Sequence, residues 1–428
     1  MKNNVYKARL KNGLTVLLKE VHAAPVTTWW VWYRVGSRNE ATGHTGISHW
    51  VEHMMFKGTR RFPADVLDKA VARDGGVWNA MTWIDWTTYF ETMPADKIDL
   101  GLRLEADRMI RSLFPPKEVA SERTVIISER QGHENSPPFL LSEKVHAVAF
   151  HVHPYRHEVI GDQADLETMT RDDLHGHYRG YYAPNNAIAV AVGDFKTREM
   201  LARIKELYGD LRPGPSVPPV TRAEPEQKGE RRVVVEGDGQ TAYVQFAYHA
   251  PRATDPDFYP MVALDSILAG ASSFNAFGGG TTNKSSRLYK ALVETELAAS
   301  VGGGLSPTID PYLYTLTATV RAGHTVQEVE NALDAQIERA LAEPVSGEEL
   351  AKALKQAKAM FAYSSESVTN QGFWLGFTEI FDTHEWFENY LDRLSAVTAD
   401  DVQRIATKSL GVLRVFLVQL EPYANNKD

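Results

Sequence analysis

The opening stretch, KNNVYKARLKNGLTVLLKE, alternates polar and apolar side chains, the period-two pattern of a half-buried strand. A second run, TTWWVWYRV, is dense in aromatic and β-branched residues, so strands are predicted at 5–20 and 26–35. Longer periods then predict helices at 46–56 and 64–73. GGVWNAMTWIDWTTYFETM reads as a hairpin, and helices are expected at 95–112 and 116–132. The later chain repeats this mixture, with strands near 231–249, a helix over 256–270, strands at 311–320 and helices beyond. The pattern is α+β.

Residues 212–231, RPGPSVPPVTRAEPEQKGER, combine five prolines with charge and no hydrophobic period, which predicts a surface linker. It divides the chain into 1–211 and 232–428. The two parts share signals. Thr170-Arg171-Asp172-Asp173-Leu174 opens an amphipathic stretch that leads to the strand-like run Ala187–Val192. Thr398-Ala399-Asp400-Asp401-Val402 opens another that leads to Val412–Val418. In both, a Thr N-cap precedes acids in the first turn, the expected chemistry of a helix start. Upstream, Lys117-Glu118-Val119 parallels Glu348-Glu349-Leu350. Glu118 stands 54 residues before Asp172, and Glu349 stands 51 before Asp400. A tandem duplication of an α+β unit of about 200 residues follows.

Composition narrows the function. Of 428 residues, 43% are hydrophobic and 24% charged, which excludes a largely disordered chain. No apolar run reaches the roughly 18–20 residues that span a bilayer. The net charge of −9 argues against a nucleic-acid partner. The N-terminal pattern has no signal-like apolar segment, so the expectation is a cytoplasmic chain, or another compartment such as the periplasm if a signal has been removed. There is no cysteine, so any metal must be held by His, Asp or Glu.

Gly46-Ile47-Ser48-His49-Trp50-Val51-Glu52-His53 carries the chemistry. On a helix, residues four apart share a face, so His49 and His53 can ligate one zinc ion. Glu52 lies beside the same stripe, where its carboxylate can take a proton from water at the metal. His-x-x-Glu-His is the inverzincin order. A catalytic zinc needs a third protein ligand. Glu122 and Glu129 in VASERTVIISER are seven residues apart on one helical face, and spacing alone does not choose between them.

GHTGISHWVEHMMFKGT, GGVWNAMTWIDWTTYF, SERTVIISER, HPYRHEVIG and YYAPNNAIAVAVGDF together resemble the pitrilysin/insulinase-type zinc metallopeptidases, in the branch that includes processing peptidases. The pieces occur in the family's order and cover most of the first half. The resemblance implies that Glu129, 76 residues past His53, is the third zinc ligand, and that Glu122 supports the site without ligating. It implies Glu52 as general base, one Zn²⁺ per chain, and a strand bearing Asn79 and Ala80 that pairs with extended substrate. The implied fold is two tandem homologous α/β roll domains forming half of a clamshell. The implied activity is a zinc endopeptidase acting on peptides or unfolded segments in a closed chamber.

The second half departs from the first. Anchored on Gly58 and Gly270, the residues opposite His49, Glu52 and His53 are Met261, Leu264 and Asp265. Anchored on Glu118 and Glu349, Ala353 and Met360 stand opposite Glu122 and Glu129. Active members of the family carry an Arg and a Tyr after a Gly-rich turn and a Ser-Ser-Arg-Leu segment. Here the turn is Phe277–Gly280 and the segment Ser285–Leu288, but the Arg position reads Val293 and the Tyr position falls on Ala299 or Ser300. Arg287 and Tyr289 belong to the earlier segment, where packing and capping explain them. A heterodimer with a homologous chain that supplies the Arg/Tyr pair is therefore expected, with a homodimer as the alternative. A non-catalytic structural or assembly subunit of core-protein type is the rival from another class. The irregularly spaced His133, His146, His151, His153, His157, His175 and His177 predict no second metal site. Trp29, Trp30, Trp32, Trp83 and Trp86 read as strand packing.

Overall fold

The computed structural model describes residues 5–237, 240–275, 284–411 and 416–422. The alternating N-terminal stretch is two strands, β1 (Tyr6–Arg9) and β2 (Thr15–Glu20), because Asn12-Gly13 turns the chain with Gly13 at φ 94°. Next come β3 (Val26–Tyr33), α1 (Ile47–Met55), α2 (Ala64–Arg73), β4 (Val77–Thr82) and β5 (Thr87–Pro94). Helices α3 (Asp99–Arg111), α4 (Pro116–Glu134), α5 (Pro137–Ala149), α6 (Gln163–Thr168) and α7 (Arg171–Tyr181) precede β6 (Ala187–Gly193) and α8 (Thr197–Tyr208). The later chain contains β7 (Arg231–Gly237), β8 (Tyr243–Ala250), α9 (Phe258–Leu268), β9 (Ala298–Gly304) and β10 (Tyr312–Val320). It closes with α10 (Val326–Ala342), α11 (Gly347–Tyr363), α12 (Val368–Phe381), α13 (Glu385–Ser395), α14 (Ala399–Leu410) and β11 (Phe416–Pro422). Residues 412–415 of the strand expected at Val412–Val418, and the turn Phe277–Gly280, lie outside the described residues.

The strands form two sheets, ordered β1-β2-β6-β3-β5-β4 and β7-β11-β8-β10-β9. In each, the last strand of the repeat enters between two early ones and runs parallel to its first neighbour, β6 to β2 and β11 to β7. Both terminal helices, α7 and α14, start on the capping boxes of Thr170 and Thr398. The duplication is thus visible as topology, and β9 is the counterpart of β4.

Two compact units result, and neither is a contiguous half. One runs to Gly132 and takes in 153–222 and 365–388; the other holds 133–152, 223–364 and the chain from Asn389. The expected division into 1–211 and 232–428 thus differs from the packing by two exchanged segments, which carry α5 and α12. The reason is apolar surface. Every residue of β3 from Thr27 to Tyr33 is buried, so this strand is covered on both faces. Trp30 stacks on Phe90 with ring centroids 4.2 Å apart, and Phe373 of α12 stands edge-on to Trp32 at 5.3 Å. Gly372 and Gly376, one helical turn apart on α12, admit the two indoles; a Cβ at either would overlap the Trp30 or Trp32 ring. Trp29 faces the other way, toward Tyr208 of α8. The tryptophans named from sequence are core residues except Trp83, which is 42% exposed beside β4. Gly376→Leu is therefore expected to lower stability by about 3 kcal/mol or more through overpacking. A thermal midpoint equal to the parent's would contradict this packing.

Candidate metal centre

Helix α1 begins at Gly46, whose φ of 84° suits glycine, and no side chain of its own residue caps it. A residue shortly upstream does so. Glu40, its side chain fully buried, accepts from the Gly46 N–H at 2.8 Å and the Ser48 N–H at 2.9 Å. A carboxylate at a helix N-terminus satisfies orphan donors and complements the helix dipole. His157 Nε2 lies 2.9 Å from the same carboxylate. Gly46 and Gly161 pack backbone to backbone, and a Cβ on either would overlap the other's neighbourhood. Arg130, one residue beyond Glu129 on α4, donates from Nη1 to the Gly161 carbonyl at 2.7 Å. The 157–161 loop therefore bridges α1 and α4, the two helices that carry the candidate ligands.

Burial opposes charge on His157, but Glu40, with Asp162 and the Ser37 backbone, outweighs it and holds the imidazolium above its ordinary 6.5. A raised folded-state value stabilises the fold below about 6.5 and loses that contribution as pH rises through the folded value. His157→Gln keeps a donor but no charge. It is expected to lower the thermal midpoint more at pH 5.5 than at pH 8.5, and an equal deficit at both would contradict the charge pair.

The apolar face of α1, including Ile47, Trp50, Val51 and Met54, is buried, and the opposite face presents the histidines. His49 Nε2 and His53 Nε2 are 3.2 Å apart. Glu129 Oε2 lies 3.7 Å from the latter and 4.0 Å from the former. A tetrahedral ion with bonds of about 2.0–2.1 Å needs ligand atoms about 3.3 Å apart. Two imidazoles and a carboxylate, with no thiolate, form a donor set that suits a zinc-like divalent ion, and these three residues are brought within reach of one such ion. No other trio of His, Asp or Glu with this spacing occurs among the described residues.

The two glutamates that spacing left equivalent are separated by geometry. Glu122 Oε1 sits 2.9 Å from His53 Nδ1, behind the ring, and its other oxygen pairs with Lys57. That contact favours the Nδ1–H tautomer and leaves the Nε2 lone pair facing Glu129. Glu52 is buried, and burial pushes its carboxyl up to about 7, partly offset by a 2.6 Å hydrogen bond from Thr82 Oγ1 and by His53. A carboxyl near neutrality can exchange a proton readily.

Asn79 and Ala80 stand on β4, the edge strand of the first sheet, opposite Phe90 and Tyr89 of β5. Ala80 is buried and Asn79 exposed, and the Asn79 side-chain oxygen accepts from the Ala80 N–H at 2.9 Å. In the second unit the counterparts of the metal residues, Met261, Leu264, Asp265, Ala353 and Met360, are all buried. Burial pushes the Asp265 carboxyl up to about 7. Val293 ends a π-helical turn over Tyr289–Val293, while Ala299 and Ser300 are exposed on β9. Arg287 is buried in an ion pair with Glu349 at 2.6 Å. Sequence reading missed Thr82, Glu40, His157 and Arg130 as parts of the site. Only Thr82, two residues past Ala80 on one strand, carried a local signal.

The mixed α/β unit thus brings two histidines of one helix against a glutamate of another, a candidate metal centre. Residues 15–163 match the family model described as insulinase (peptidase family M16), and 168–357 match the peptidase M16 inactive domain. The chain belongs to this pitrilysin/insulinase-type family, in its processing-peptidase-like branch. The zinc protease PqqE of Helicobacter pylori is 34% identical over 269 residues, 62% of this chain and 61% of that protein's own length. A probable mitochondrial-processing peptidase subunit beta of Arabidopsis thaliana is 27% identical over 93% of this chain and 75% of its own. A crystal structure of a protease from Helicobacter pylori superposes with a TM-score of 0.92 at 27% identity, covering 98% of this chain and all of that one.

Proposed function

We propose that this chain is the zinc-binding, catalytic subunit of an endopeptidase acting on peptides or unfolded segments. The carrying observation is the His49–His53–Glu129 triangle with Glu52 beside it. Neutral His49 and His53 and ionised Glu129 would hold one Zn²⁺. When bound there, zinc supplies a Lewis acid that activates water and polarises the scissile carbonyl. The chain's own groups do the rest. Glu52 takes the proton of the attacking water on a carboxylate oxygen and returns it to the leaving amine. Glu122 holds the His53 ring in register. The open edge of β4 pairs with the substrate main chain, so recognition reads backbone more than side chains, and buried Ala80 leaves room for the approach. Asn79 swings off the Ala80 N–H as the substrate takes it.

The metal assignment predicts one zinc per chain. Glu129→Gln removes a ligand and is expected to lose most of it, whereas Glu122→Gln weakens binding by about 10–100-fold and retains more. Elemental analysis of both variants checks this, and the reverse order would contradict it. The activity itself is tested on unstructured peptides with and without a chelator.

The same reading makes the enzyme a heterodimer. Val293, Ala299 and Ser300 offer no cationic or phenolic group, and several relatives are named as beta subunits of processing peptidases. A homologous chain carrying the Arg/Tyr pair would complete the site. The loss of that pair also favours, as a second reading, a structural subunit without catalysis. Stoichiometric zinc with chelator-sensitive cleavage separates the two.

A further inference from the structure

We propose that Thr82 is a positioning residue for the general base, an inference that rests on the role given to Glu52 above. A glutamate carboxyl turns freely about its last torsion unless a partner fixes it. Here Thr82 Oγ1 lies 2.6 Å from Glu52 Oε2, a distance typical of a charge-assisted hydroxyl bond. The polarity of that bond is set by its surroundings. Thr82 Oγ1 is also 3.4 Å from Thr87 Oγ1, its register partner across β4 and β5. Thr87 is buried and donates its one proton to the Val35 carbonyl at 2.9 Å. A hydroxyl has a single proton to give, so Thr87 cannot also donate to Thr82. An ionised carboxylate can only accept, and Glu52 at 2.6 Å is far closer than Thr87 at 3.4 Å, so the Thr82 proton goes to Glu52. One carboxylate oxygen is held, and the other is left as the basic edge.

Position makes this more than a local contact. Thr82 is the last residue of β4, two residues beyond Ala80, on the strand whose open edge receives the substrate backbone. Base and substrate are thereby referenced to one strand. Glu52 itself stands on α1, so the Thr82 hydrogen bond ties the carboxylate to the strand and limits its drift from the scissile peptide. Such distances matter because effective molarity falls steeply with misplacement.

The test compares Thr82→Val, Thr82→Ala and Thr82→Ser with Glu52→Gln. Each is zinc-loaded and assayed on one internally quenched unstructured peptide, in the form of the enzyme found to cleave it. Thr82→Val keeps the shape and deletes the hydroxyl. It is expected to retain its zinc and its KM while kcat falls about 10–100-fold, the usual cost of losing an outer partner at a metal site. Thr82→Ser restores the donor and is expected to return kcat to within about threefold of the parent. Independently of turnover, the infrared carboxylate band of Glu52 in the metal-free protein, identified by its loss in Glu52→Gln, is expected to shift in Thr82→Val and not in Thr82→Ser. If Thr82→Val does not fold, Thr82→Ala carries the same comparison. A hydroxyl-free variant with the parent's kcat and an unshifted band overturns the inference, as does a Thr82→Ser enzyme as impaired as Thr82→Val. If Glu52→Gln itself remains active, the general-base reading falls and this one with it. If Glu52→Gln is inactive and Thr82→Val is not, only the role of Thr82 falls.

Discussion

Glu52→Gln is expected to keep its zinc and to lose peptide hydrolysis by about 10²–10⁴-fold or more. Gln preserves the volume of the side chain, and its amide can still hold the Thr82 hydroxyl through its carbonyl oxygen. It cannot accept the proton of an attacking water. Because Glu52 lies outside the His49–His53–Glu129 triangle, the donor set is untouched. The expected signature is therefore a split: unchanged metal content and a thermal midpoint no lower than the parent's, with turnover gone. Elemental analysis and initial rates on an unstructured peptide measure both halves. Activity within a few fold of the parent would remove Glu52 from the mechanism.

The second large effect concerns the partner. Adding a homologous chain that bears the Arg/Tyr pair is expected to raise cleavage by about 10²–10³-fold over the chain alone, the cost typical of one missing oxyanion donor. The deficit is chemical. Val293 and Ala299 have apolar side chains, and the Ser300 hydroxyl is hydrogen-bonded to Thr319 at 3.0 Å. At the positions that correspond to His49, Glu52 and His53 the second unit carries Met261, Leu264 and Asp265, in a buried helix. A homodimer would repeat both absences, whereas a partner with the pair could dispense with its own zinc motif. Full activity of the chain alone, unchanged by the partner, would favour the homodimer.

Much of the candidate site was legible because its signal is helical. His49, Glu52 and His53 lie within five residues, and the four-residue spacing of the histidines is a property of one helix. Glu122 and Glu129 share a face by the same geometry, so only the three-dimensional approach of α4 to α1 separates the oxygen behind His53 from the one beside its Nε2. Glu40 caps α1 from a short distance upstream, outside the usual capping positions, while its pairing with His157 and the reach of Arg130 to Gly161 span long sequence separations that nothing local marks. The fold followed the same division. The α+β class and the two repeats were legible from periodicity and caps. Strand β9, AASVGGG, was missed because small residues and glycines carry no alternation. The single strand expected at 5–20 is a hairpin because Asn12-Gly13 turns the chain, and that turn signal is local. The exchange of α5 and α12 could not be read at all: an apolar helix shows that it must be buried, not against which sheet.

On the reading proposed above, a single zinc centre performs hydrolysis. Its most direct measurement is a titration of Zn²⁺ into the chelator-stripped enzyme, paired with its homologous chain, while cleavage of an unstructured peptide is followed. No cleavage is expected without metal, and the rate is expected to rise with added zinc to a break at one equivalent per catalytic chain. A rate indifferent to zinc removal, or one bound equivalent with no hydrolysis in any pairing, would contradict it.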